Sequence, residues 1–193
     1  MKKNVAILLF DDVEVLDFAG PFEVFAVTDE LSGYETFNVF TVADSVGTVR
    51  ARNGLKVVPH FTLEQCPPPH VLIIPGGFGT RALLRKPAFL EWVRIRVRTA
   101  ELTMSVCTGA LILAQLGLLD GRKATTHHEC LGLLRELAPG AEVVDDERFV
   151  DNGSILTAAG ISAGIDCSLH VVQRLLGSEA AMATARYMEY TRP

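Results

Sequence analysis

Three short, mostly apolar runs, residues 4–10, 71–74 and 102–106, each stop at polar or glycine-rich residues, and a helical spacing of apolar side chains follows. A run that stays apolar, instead of alternating, suits a parallel strand covered on both faces. Parallel neighbours need a crossover, usually a helix. Strand and helix patterns alternate along most of the 193 residues, which predicts a doubly wound α/β sandwich with a mostly parallel central sheet. Residues 1–193 are expected to form one domain.

Turn residues refine this outline. Residues 37–43 read as the second strand. Asn53-Gly54, between residues 49–52 and 55–58, predicts an inserted β-hairpin, and Asn152-Gly153, within residues 149–157, predicts another. Pro21 suits the first turn of the first helix, and Pro87 opens a later one. Pro67-Pro68-Pro69 stiffens the approach to strand 71–74. Residues 124–126 read as a short strand that stops at His127-His128, and residues 130–137 have helical spacing. A long helix through Leu169, Val172 and Leu176 ends at Gly177, and Ser178 is expected to cap a last helix over residues 179–190.

Charge and cysteine usage exclude several classes. A formal net charge of −5, with Lys and Arg spread along the chain, gives no footprint for nucleic acid. Residues 5–10 follow Lys2-Lys3 much as in a signal peptide, but Asp11-Asp12 end the run too early. No apolar run nears the roughly 20 residues that span a bilayer. Cys66, Cys107, Cys130 and Cys167 are far apart and make no metal-ligand spacing, so neither structural zinc nor a disulfide framework is expected. No metal or cofactor is expected, and a reducing cytoplasm is the natural compartment.

Ligands of open parallel α/β sheets bind beyond the carboxyl ends of the strands. Glu14 and Asp17 follow the first strand, Gly76-Gly77 break the strand at 71–74, Cys107 ends the strand at 102–106, and His127 ends the one at 124–126. These four loops are expected to share one edge of the sheet. Cys107 stands at a strand-to-helix elbow, with a helix expected over residues 109–118. Converging N–H groups and the helix dipole there favour thiolate. The same cysteine also reads as one more small buried apolar residue.

The segments IIPGG, SVCTGA, GRKATTH and TAAGISAGID, in this order, resemble the ThiJ/PfpI superfamily, which has a class I glutamine-amidotransferase-like fold. That resemblance implies a flavodoxin-like sandwich and usually a homodimer. Leu16-Asp17-x-x-Gly20-Pro21-x-Glu23 and the threonine after the cysteine look like the branch that holds isonitrile hydratases and the sensor domains of AraC-type regulators. The regulators carry a helix-turn-helix module after that domain, for which this sequence has no room before Pro193.

By that resemblance Cys107 is the nucleophile, and the N–H groups of Gly77 and Thr108 form an oxyanion hole. Asp17 is the acid against the cysteine, and Gly164-Ile165-Asp166 start the penultimate helix. Glu14 is the alternative acid, because a related deglycase branch uses a glutamate in this loop. Peptidase-like members have histidine where this chain has Thr108. Gly76 and His127 are possible supporting residues, and Phe78 and Ile161 possible substrate contacts. His128 and Glu23 are expected to be exposed, and Cys66, Cys130 and Cys167 to be packing or surface thiols. The implied activity is hydration of an isonitrile to an N-substituted formamide through a Cys107 thioimidate. Glyoxalase or deglycase chemistry, amidase or peptidase chemistry, and a sensing module without turnover remain alternatives. The expected partner is a small electrophile.

Overall fold

The computed structural model describes residues 1–45 and 47–191. In chain order its elements are β1 (Lys3–Leu8), α1 (Val15–Leu31), β2 (Phe37–Ala43), β3 (Val49–Arg50), β4 (Lys56–Val57), β5 (Phe61–Thr62), β6 (Val71–Ile74), α2 (Thr80–Leu83) and α3 (Pro87–Thr99). These are followed by β7 (Leu102–Val106), α4 (Ala110–Gln115), β8 (Lys123–Ala124), α5 (Leu131–Leu137), β9 (Glu142–Val143), β10 (Phe149–Asp151), β11 (Ile155–Ala158), α6 (Ala163–Leu176) and α7 (Ser178–Tyr187).

A seven-stranded sheet runs in the order β10-β11-β7-β6-β1-β2-β5. Its pairings are parallel except for β10 against β11. Every residue of β6 and β7 is buried, which requires cover on both faces of the sheet. Helices α1, α6 and α7 pack on one another, and α4 packs against α2 and α5. The α/β sandwich with a mostly parallel sheet is therefore present.

Several local expectations change. Helix α1 starts at Val15, so Glu14 is its cap, Asp17 lies in its first turn, and Pro21 sits inside it. A proline inside a helix costs about 3 kcal/mol. Burial of Phe18, Val24, Phe25 and Val27 on either side of it holds the helix through that point. The Cys107 elbow is a 3₁₀ turn, Cys107–Gly109, before α4. Ser178 is the first residue of α7 and makes no capping bond; Gly177, at φ 93°, is the cap.

Both Asn-Gly turns close antiparallel pairs, with different outcomes. The first joins β3 and β4 into a small separate sheet, with Asn53 and Gly54 at φ 61° and 90°. The second joins β10 to β11 at the edge of the main sheet. Strand β8 is shorter than expected and pairs with β9, outside the main sheet. His127 therefore does not leave a central strand. Its loop is fastened to the sheet by two hydrogen bonds, Thr125 N–H to Thr157 Oγ1 at 3.0 Å and Thr126 Oγ1 to the Cys107 carbonyl at 2.7 Å.

Candidate active site

Cys107 leaves β7 with φ 55°, in the left-handed region. For a residue with a Cβ this conformation costs about 1–2 kcal/mol. The backbone there is held at both ends. Its N–H donates to Ala159 O at 3.0 Å, and its carbonyl accepts from Thr126 Oγ1. The side chain is thereby turned off the end of the strand, into a cavity of about 460 Å³. Glu14, Arg52, Phe78, Arg81, Thr108, His127, Cys130 and Ile161 share its wall.

The floor is made by close backbone approach. Gly76 lies so near the elbow that a Cβ on it would stand 2.4 Å from Thr108 N and 2.9 Å from Cys107 Cβ. Gly77, at φ 130°, forms an isolated antiparallel bridge with Val13, and a Cβ on it would strike the Asp12 carbonyl. Glu14 N–H donates to Gly76 O at 2.9 Å, and Arg52 N–H donates to Val13 O at 2.9 Å. Three loops are thus stitched together by main chain beneath the sulfur.

Asp17 is fully buried. Its Oδ2 accepts from Gly76 N–H at 2.9 Å, while Oδ1 has no hydrogen-bond partner. Cys107 is the thiol with which this carboxyl interacts, although no well-formed hydrogen bond joins them. Burial raises the Asp17 pKa from 3.8 to about 7, against the Gly76 N–H, which lowers it; the charge on Glu14 adds to the rise. Glu14 itself pairs with Arg52, at 3.3 Å.

The expected resting thiolate is not what this environment favours. Burial pushes the Cys107 thiol up to about 12, and the negative charge of Asp17 is the next cause. The Thr108 N–H and hydroxyl act the other way but are outweighed. The helix behind the elbow is short, so its dipole contributes little. Once Asp17 holds a proton, its repulsion of the sulfur disappears. The two groups therefore behave as a coupled pair that exchanges one proton.

Thr108 Oγ1 accepts from Gly77 N–H at 2.9 Å and lies 3.1 Å from Gly77 O, to which it donates. The fully buried Thr80 also donates to Gly77 O, at 2.8 Å. The Gly77 N–H expected in an oxyanion hole is thus engaged by Thr108 in this state. The Thr108 N–H faces the sulfur.

His127 lines the wall with its imidazole held below the usual pKa, first by burial and then by His128. Its Nδ1 accepts from Glu129 N–H at 3.3 Å. Phe78 is 57% exposed, with the Arg52 guanidinium 4.1 Å and that of Arg81 5.6 Å from its ring centre. Ile161 sits at φ 52°, which is strained for a β-branched residue, and it also lines an adjoining cavity.

Glu23 and His128 are exposed, and His128 edges the cavity. Cys66 and Cys167 lie elsewhere, whereas Cys130 is on the wall, with Arg81 Nη2 3.2 Å from its sulfur. Asp166 is tied to Arg148 and Tyr190 at the start of α6. Arg52, Arg81 and Cys130 have no motif signal in the sequence. Position after a glycine-rich turn was the one available hint for Arg81. Among the described residues no three His, Cys, Asp or Glu side chains gather as a metal-holding group.

A family model for the DJ-1/PfpI family matches residues 3–174. The chain belongs to the DJ-1/PfpI family. This DJ-1/PfpI chain is 36% identical over 190 residues to an isonitrile hydratase of Pseudomonas putida, a match covering 98% of this chain and 79% of that protein. It is 27% identical to the HTH-type transcriptional regulator GbdR of Pseudomonas aeruginosa, across 98% of this chain and 51% of the regulator. It thus spans about half the length of that regulator. A crystal structure of a ThiJ/PfpI family protein from Pseudomonas syringae superposes with a TM-score of 0.89 at 32% identity, covering 100% of this chain and 77% of that one. The parallel sheet and its helices are thus the fold of a DJ-1/PfpI domain.

Proposed function

We propose that this protein is a single-domain enzyme that hydrates an isonitrile, or a closely related small electrophile, through Cys107. The observation that carries this reading is the pairing of Cys107 with a buried carboxyl whose pKa is raised to about 7, beside a cavity of substrate size. Identity of 36% to an isonitrile hydratase supports it.

In the first step Asp17 takes the thiol proton while Sγ bonds to the terminal carbon of the isonitrile. The same proton then passes to that carbon, giving a thioimidate, R–N=CH–S–Cys107. Asp17, again a carboxylate, takes a proton from water as the oxygen adds to this carbon. The proton goes to the nitrogen, the carbon–sulfur bond breaks, and R–NH–CHO leaves with the thiol restored. The Thr108 N–H, and its hydroxyl on turning from the Gly77 carbonyl, which Thr80 and Arg81 still serve, stabilise negative charge on the sulfur as it leaves. The site acts in the cytoplasm, on a small molecule, in a homodimer.

The test is turnover of an aryl isonitrile, followed by formamide production. Cys107→Ala and Asp17→Asn should each abolish it while far-UV circular dichroism is kept. Full activity in Cys107→Ala would end the proposal. A second reading, proton transfer on a reactive aldehyde, is favoured by Glu14 and His127 on the same wall. Turnover of methylglyoxal but not of the isonitrile, by the same preparation, would select it. Ligand binding at Cys107 with turnover of neither would select a sensing role.

A further inference from the structure

The hydration steps use none of the charged side chains on the cavity wall, and Arg81 is one of them. Arg81 donates from Nη1 to Gly77 O at 3.2 Å and to Thr80 Oγ1 at 3.4 Å, and from Nη2 to Cys130 Sγ at 3.2 Å. Its partners are a carbonyl, a hydroxyl and a sulfur. Among the described residues no carboxylate lies within 4.0 Å of it, and Nε has no partner, whereas the other wall arginine, Arg52, is matched by Glu14. A guanidinium stays charged at any pH a protein meets. Arg81 is therefore a fixed cation without a counter-ion, facing the same cavity as Cys107.

We propose that Arg81 receives a carboxylate of the substrate, so that the occupant is a small electrophile carrying a carboxylate. Its reacting carbon lies at Cys107 Sγ and its carboxylate on Arg81. Three features support this. The guanidinium is fixed in advance by the Gly77 carbonyl, Cys130 and the Phe78 ring, so little ordering is lost on binding. Its free donors suit the two oxygens of a carboxylate. A cavity of about 460 Å³ is roughly 10 Å across, which lets one small molecule touch both points. The inference rests on Cys107 as the reacting group, not on the isonitrile as the electrophile.

The test uses alkylation instead of turnover. Iodoacetyl-glycine and iodoacetyl-β-alanine are compared with their uncharged primary amides at pH 8, and modification of Cys107 is followed by peptide mass spectrometry. In each case sulfur bonds to the methylene carbon, iodide leaves, and the thiol proton goes to Asp17 or solvent. At least one acid should react about tenfold faster than its amide. Arg81→Leu should bring that ratio to one or below, and Arg81→Lys should keep part of it. On the native protein, unreactive acetyl-β-alanine should protect Cys107 from iodoacetamide saturably, and its amide should not. Equal rates for acid and amide, an unchanged ratio in Arg81→Leu, or no protection would each overturn the proposal. Absence of any modification at Cys107 would remove the nucleophile and this inference together. Isonitrile turnover without an acid preference would remove this inference alone.

Discussion

Replacing Asp17 by Asn should change how stability depends on pH. In the unfolded chain this carboxyl ionises near 3.8, whereas in the fully buried site it keeps its proton until about pH 7. Between these values the folded state binds the extra proton, so raising the pH favours unfolding. The stabilisation is complete below about pH 4 and is lost as pH rises through about 7. From pH 5 to pH 8.5 the native protein should lose about 3 kcal/mol through this one group, at roughly 1.4 kcal/mol per pH unit up to 7. Asn cannot ionise, and its Oδ1 can still accept the Gly76 N–H. The assay is urea unfolding of both proteins at pH 5, 7 and 8.5. With a slope of about 2 kcal/mol per molar urea, the midpoint of the native protein should fall by about 1.5 M more than that of Asp17→Asn. Other titrating groups are common to both and cancel in the comparison. Two midpoints that fall in parallel would refute a buried, proton-holding Asp17, and with it the coupled pair.

Thr80→Val removes the shortest of the three side-chain bonds to the Gly77 carbonyl and leaves those of Arg81 and the Thr108 hydroxyl, which is then held more firmly away from the sulfur; alkylation of Cys107 should therefore need a higher pH, with Thr80→Ser restoring the native profile, and identical profiles in all three would deny Thr80 a positioning role. The His127 imidazole should titrate below the usual value of 6.5 in a ¹⁵N-detected NMR series, because burial and His128 disfavour its charge. Asp29 accepts from Thr36 N–H at 2.9 Å and Phe37 N–H at 2.8 Å and pairs with Lys2. Asp29→Ala should therefore cost about 2–3 kcal/mol by denaturant unfolding, since it strips two main-chain donors of a charged acceptor.

The parts of this molecule legible in its sequence are those governed by local rules. Continuous apolar runs marked β1, β6 and β7 because both faces of those strands are covered. The elbow at Cys107 was legible because one short motif contains strand end, turn and helix start. Pro21 misled because the preference of proline for a helix's first turn was read without the apolar contacts that carry α1 through it. Strand β8 was misassigned since two residues of extended chain do not reveal which sheet they join. Arg52 reaches the site from the turn between β3 and β4 and Arg81 from the start of α2, and neither lies in an informative motif. The protonation of Cys107 was misjudged for a related reason: local geometry suggests a stabilised thiolate, while burial depends on the whole fold.

The stitching of three loops under the sulfur has an evolutionary consequence. The Val13–Gly77 bridge and the Glu14–Gly76 and Arg52–Val13 bonds are all main chain. Cys107 is thus held largely by main-chain atoms, with glycine required at Gly76 and Gly77, while Phe78, Arg81 and Ile161 line the cavity. Substitution at Phe78 or Ile161 can reshape the cavity without breaking the main-chain bonds that aim the sulfur. A lineage built this way is free to vary the cavity wall while inheriting the same elbow.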